Sequence, residues 1–84
     1  MDKLWSALSD KTRRDILILL HEGEKNAGDI AAHFKISKPS ISHHLSVLRE
    51  ANLVYSRKEG QTIIYALNKT ALRDASRFIS SLTR

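Results

Sequence analysis

The residues with the most usable chemistry lie at positions 37–51, Ser37-Lys38-Pro39-Ser40-Ile41-Ser42-His43-His44-Leu45-Ser46-Val47-Leu48-Arg49-Glu50-Ala51. Hydroxyls, imidazoles and cations alternate there with a regular apolar spacing. At helical periodicity Ile41, Leu45 and Leu48 share one face, and His44 falls with them. The opposite face carries Lys38, Pro39, Ser42, His43, Ser46 and Arg49, with Ser40 at its edge. These side chains are small or cationic and offer hydrogen bonds without bulky apolar cover. Their chemistry is recognition: such a face can approach base edges in a DNA major groove. An ordinary solvated helix face would more typically hold Glu and Lys at i, i+4 spacing. His43 points outward as a base or phosphate contact. His44 is expected to pack inward, with one ring nitrogen satisfied by backbone or water.

Bond-making chemistry finds no support. Neighbouring residues on a helix diverge by about 100°, so His43 and His44 do not chelate a metal together, and Ser42, His43 and His44 form no triad. Paired carboxylates, a nucleophile with its base, a phosphate-cradling glycine loop and cofactor motifs are all lacking. The expectation is a chain that is no enzyme and has no cofactor or metal site.

The elements that must position this face are legible from caps and spacing. Leu4, Trp5 and Leu8 suggest a short first helix, with Ser9-Asp10 as its stop and a new N-cap. Ile16, Leu17, Leu19 and Leu20 give that second helix its apolar face, and Gly23 is expected to close it in the left-handed conformation. Asn26 caps a third helix that buries Ala27, Ile30, Ala31 and Phe34. Only Lys35-Ile36 separates Phe34 from the next cap, Ser37, so the two helices must cross steeply. Ile36 and Ile41 have the spacing of a hydrophobic staple, and Pro39 falls in the first turn, where a missing N–H costs little. Together these make a helix-turn-helix.

After Asn52, Leu53-Val54-Tyr55-Ser56-Arg57 and Thr62-Ile63-Ile64-Tyr65-Ala66-Leu67 are rich in β-branched and aromatic residues. They flank Lys58-Glu59-Gly60-Gln61 and read as a hairpin with Gly60 at its tip. Arg57, Lys58 and Gln61 would lie along neighbouring phosphates or the minor groove, adding affinity more than sequence information. The plainer reading keeps Arg57 and Lys58 as charges that hold an exposed edge soluble. A last helix from about Asn68 or Thr70 presents Leu72, Ala75, Phe78, Ile79 and Leu82. The predicted fold is mostly α with a β-hairpin wing: a winged helix-turn-helix in the order α-α-α-α-β-β-α, one domain over residues 1–84.

Composition agrees with this. The formal net charge of +5 is uneven: residues 1–34 carry −1, residues 35–61 carry +3 and residues 62–84 carry +3. A polyanion would be drawn to the second half, although charge alone does not separate that from an ordinary solvated surface. No apolar run reaches the roughly 18–20 residues of a membrane span, and the start lacks the pattern of a signal peptide, so a cytoplasmic protein is expected. With 84 residues and no cysteine, the core is thin and no disulfide supports it, which favours association.

Several stretches resemble the ArsR/SmtB family of bacterial winged-helix repressors. They are Ala7-Leu8-Ser9-Asp10-Lys11-Thr12-Arg13-Arg14-Asp15-Ile16-Leu17, Ala27-Gly28-Asp29-Ile30-Ala31, Ile36 through Leu45, Leu48-Arg49-Glu50-Ala51-Asn52-Leu53-Val54, and Arg57-Lys58-Glu59-Gly60 with Tyr65-Ala66-Leu67. The resemblance implies that Lys38, Pro39, Ser40, Ser42 and His43 face DNA. It also implies a homodimer in which the first and last helices pair, giving Leu4, Trp5, Leu8, Leu72, Ala75, Phe78, Ile79 and Leu82 a partner surface. Many members sense metals through cysteines near positions 26–34 or an Asp/His set on the last helix. This chain has no cysteine, and no histidine follows His44, so metal-responsive control is not expected. The implied function is a dimeric, sequence-specific repressor on an inverted-repeat operator in double-stranded DNA. The member it most resembles implies release by a sequestering membrane protein partner. The alternative is a winged-helix interaction module whose basic face binds an acidic partner.

Overall fold

Short polar side chains decide where most of the helices begin. In the computed structural model, which describes residues 2–84, Asp10 precedes a helix over Lys11–His21 (α2), and its carboxylate accepts from the Arg13 N–H at 3.0 Å. Asn26 does the same for Ala27–Phe34 (α3), accepting from Asp29 at 2.8 Å. Ser37 caps Lys38–Glu50 (α4) and Asn68 caps Lys69–Leu82 (α5), accepting from Ser40 and Ala71. A first helix covers Asp2–Leu8 (α1). Each cap satisfies an N–H that has no partner within its helix.

The turn between α3 and α4 is made by Lys35, which adopts the left-handed conformation at φ 55°. Its neighbour Ile36 donates back to the Ala31 carbonyl at 3.2 Å. That five-residue backward bond closes the helix as a Schellman motif and lets α4 start two residues later. Asn52 ends α4 in the same manner at φ 61°, with Leu53 donating to Leu48 at 2.9 Å. At the end of α2 the expectation is corrected. Gly23 has φ 152°, far from the left-handed helical value, and α2 closes by three-residue bonds from Glu22 and Gly23 to Leu19 and Leu20.

The wing is a hairpin of Val54–Glu59 (β2) and Thr62–Leu67 (β3), so Lys58 and Glu59 belong to a strand and only Gly60-Gln61 form the loop. Gly60 stands at φ 61°, the positive value that a two-residue loop matched to strand twist demands. A third strand was not expected: Lys25–Asn26 (β1) pairs antiparallel with β3, Lys25 opposite Tyr65, giving the order β1-β3-β2. Two residues carry no periodicity, so pairing with a segment some forty positions away leaves no local mark.

Ile16, Ile30, Ile41, Leu45, Leu48, Leu53 and Val54 are fully buried and form the core between α2, α3, α4 and the start of the wing. Ile41, Leu45 and Leu48 anchor α4, each contributing about 1.5–3 kcal/mol by burial. Their spacing fixes which side of α4 is left outward.

Candidate nucleic-acid interface

The outward face of α4 is as the spacing requires. Lys38, Pro39, Ser40, Ser42, His43 and Arg49 are exposed, and Ser46 is half-buried at the margin. The Ser40 hydroxyl accepts from Ser37 Oγ at 3.1 Å, which leaves its own hydrogen free to donate. Lys38 lies back over the start of α3, where it lines a cleft of about 350 Å³ with Ser42, Gly28, Gln61, Ile63 and Tyr65. The fold thus brings Lys38 and Ser42 of α4 together with Gln61 of the wing. Ile63 and Tyr65 as walls of this cleft were not anticipated; their alternation within β3 was the available signal.

Register separates the two wing cations. Directly paired residues on antiparallel strands share a face. Lys58 pairs with Ile63, so it lies on the cleft side; Arg57 pairs with Ile64 on the other. There the Arg57 guanidinium donates to both carboxylate oxygens of Glu24, at 2.6 and 2.8 Å, and from Nε to Glu59 at 2.8 Å. These hydrogen bonds hold the Glu24 carboxyl below the usual carboxylate range and push the guanidinium further up. Arg57 is exposed but engaged, and Glu24, 33 residues earlier, pins the wing. Nothing local in the sequence marks Glu24 for this.

His44 is half-buried, and its Nδ1 meets a partner that the sequence did not suggest, the Arg13 guanidinium at 3.3 Å. The positions expected to face a second protomer divide into two groups. Leu4, Leu8 and Leu72 pack on the protein's own core, and Ala75 is buried. Phe78, Ile79 and Leu82 are 43%, 49% and 70% exposed, and Trp5 stacks obliquely on Phe78 with ring centroids 6.1 Å apart. Among the described residues no helix is long and apolar enough to cross a membrane.

Comparison with known proteins gives this geometry a lineage. Residues 10–56 match the family model described as bacterial regulatory protein, arsR family. The chain is 53% identical over 75 residues to the transcriptional repressor SdpR of Bacillus subtilis, covering 89% of this chain and 83% of that protein. It is 45% identical over 67 residues to the arsenical resistance operon repressor of Staphylococcus aureus, covering 80% of this chain and 64% of the longer relative. A solved structure of a possible transcriptional regulator for arsenical resistance superposes with a TM-score of 0.86 at 38% identity, over 98% of this chain and 84% of that one. These relatives are transcriptional regulators and not enzymes. The chain belongs to the arsR family of bacterial regulatory proteins, DNA-binding regulators built on a winged helix.

Proposed function

We propose that this protein is a dimeric, sequence-specific repressor that occupies an inverted repeat in promoter DNA. The outward face of α4 carries this reading: Lys38, Pro39, Ser40, Ser42 and His43 lead it, with Ser46 and Arg49 towards its end. Serine hydroxyls and an imidazole supply directional contacts to base edges, while Lys38, Arg49 and Lys58 supply charge for phosphates. Gln61 follows the cleft side of the wing, and Arg57 acts chiefly by holding the wing against Glu24. The interaction-module alternative gains nothing from relatives that are transcriptional regulators.

The dimer is supported by the apolar strip of Phe78, Ile79 and Leu82, which the chain itself leaves uncovered, and by the adjacent Trp5. Two protomers would place their recognition helices about 34 Å apart, with half-sites roughly ten base pairs between centres. Control is metal-independent in this reading, because the chain offers no cysteine. The resemblance points instead to capture by a membrane-bound protein; a co-precipitation from membrane extract that recovers no partner would count against that step.

The test is substitution on the reading face. Ser42→Ala or His43→Ala is expected to weaken binding to a selected duplex while leaving melting temperature and oligomeric state unchanged. Equal losses on selected and random duplexes would argue against base reading.

A further inference from the structure

The outward face of α4 is assigned above, but the polar contact on its inward side is not. His44 Nδ1 lies 3.3 Å from Nη1 of Arg13, across 31 residues of chain. A guanidinium only donates, so this contact is a hydrogen bond when Nδ1 accepts. The other arms of the same guanidinium reach the last turn of α1: Nε donates to Ala7 O at 2.8 Å and Nη2 to Ser6 O at 3.2 Å. One cation on α2 thereby joins the end of α1 to the recognition helix.

We propose that Arg13 and His44 are positioning residues that fix the seating of α4 and so the alignment of its outward face on DNA bases. This rests on the DNA-reading role proposed above. The apolar contacts of Ile41, Leu45 and Leu48 hold α4 in the core but are not directional. A rotation of about 10° moves a side-chain tip about 6 Å from the helix axis by about 1 Å, enough to misalign a hydrogen bond to a base. The planar guanidinium fork supplies the missing direction, because two of its arms are fixed on α1.

Asp10 stands beside the pair: its Oδ2 lies 3.9 Å from His44 Nδ1 and accepts from the Arg13 backbone N–H at 3.0 Å. Loss of the contact frees α4 to turn in its seat without unfolding the core. A fall in specific binding without a fall in random binding is the signature.

The test uses the full chain, a duplex selected by it and a random duplex, with affinities from fluorescence anisotropy at one neutral pH. His44→Leu and Arg13→Lys should lower specific affinity by about tenfold, with random binding unchanged. His44→Asn keeps an acceptor near the Nδ1 position and should bind the selected duplex as wild type does. Wild-type ratios of specific to random binding in His44→Leu and Arg13→Lys would overturn the proposal, as would a loss in His44→Asn equal to that in His44→Leu. Nitrogen-15 NMR of the free wild-type chain reads the clamp without DNA or substitution: a lone pair on His44 Nδ1 is expected, and a hydrogen there at neutral pH overturns it. A chain with no sequence-selective binding would defeat the DNA-reading role by itself, and the NMR result would still decide the clamp.

Discussion

The two cations of the wing should respond differently to removal, and salt dependence is the property that separates them. Each phosphate neutralised on duplex DNA contributes about 0.9 to the slope of log affinity against log salt. Lys58 has no carboxylate partner among the described residues and pairs with Ile63 on the cleft side. Lys58→Gln should therefore reduce the slope by about 0.9, a change of about 3.5-fold in affinity between 50 and 200 mM salt. Arg57 must leave Glu24 and Glu59 before it can meet a phosphate, so Arg57→Gln should change the slope by much less. Glu24→Gln removes a negative charge beside the wing and should strengthen binding at low salt. The assay is anisotropy with a labelled random duplex across that salt range, which needs no knowledge of the operator. Equal slope losses for Arg57→Gln and Lys58→Gln, with Glu24→Gln silent, would refute the division of the wing into an anchoring and a contacting cation.

Other outcomes follow from the termini and caps. Leu82 is 70% exposed on the proposed dimer strip. Leu82→Ser should cost about 1–2 kcal/mol per protomer, weakening a two-fold dimer by at least tenfold in analytical ultracentrifugation; an unchanged dimerisation constant would remove α5 from the interface. Asp10 is held below the usual carboxylate range, first by the Arg13 backbone N–H and also by the Arg13 and His44 charges. A depressed folded value means that its stabilisation is present above the unfolded carboxylate value near 4 and is lost as the pH falls below it. Melting temperatures taken from pH 5 downwards should fall less steeply for Asp10→Asn than for wild type.

Much of this architecture could be read from sequence because its determinants are local. Asp10, Asn26, Ser37 and Asn68 each cap a helix within three residues of the N–H they satisfy. The burial of Ile41, Leu45 and Leu48 follows from spacing alone, and it selects the outward residues. What escaped notice is non-local. The strand Lys25–Asn26 exists only through its pairing with β3, the Arg57–Glu24 contact spans 33 residues, and Arg13–His44 spans 31. The residues expected on a partner surface divide between buried and exposed for a related reason. Helical spacing places Ala75 and Phe78 on one side of α5 but cannot say that the body of the protein ends between them, burying one and leaving the other 43% exposed.

In the proposed complex two copies of α4 read DNA sequence across a two-fold axis. Selection of bound duplexes from a random pool with the purified chain, followed by footprinting with and without chelator, tests it most directly. The expected result is an inverted repeat with half-site centres roughly ten base pairs apart, protected equally with chelator present. Enrichment of no sequence, or of a single unrepeated site bound by a monomer, would contradict it.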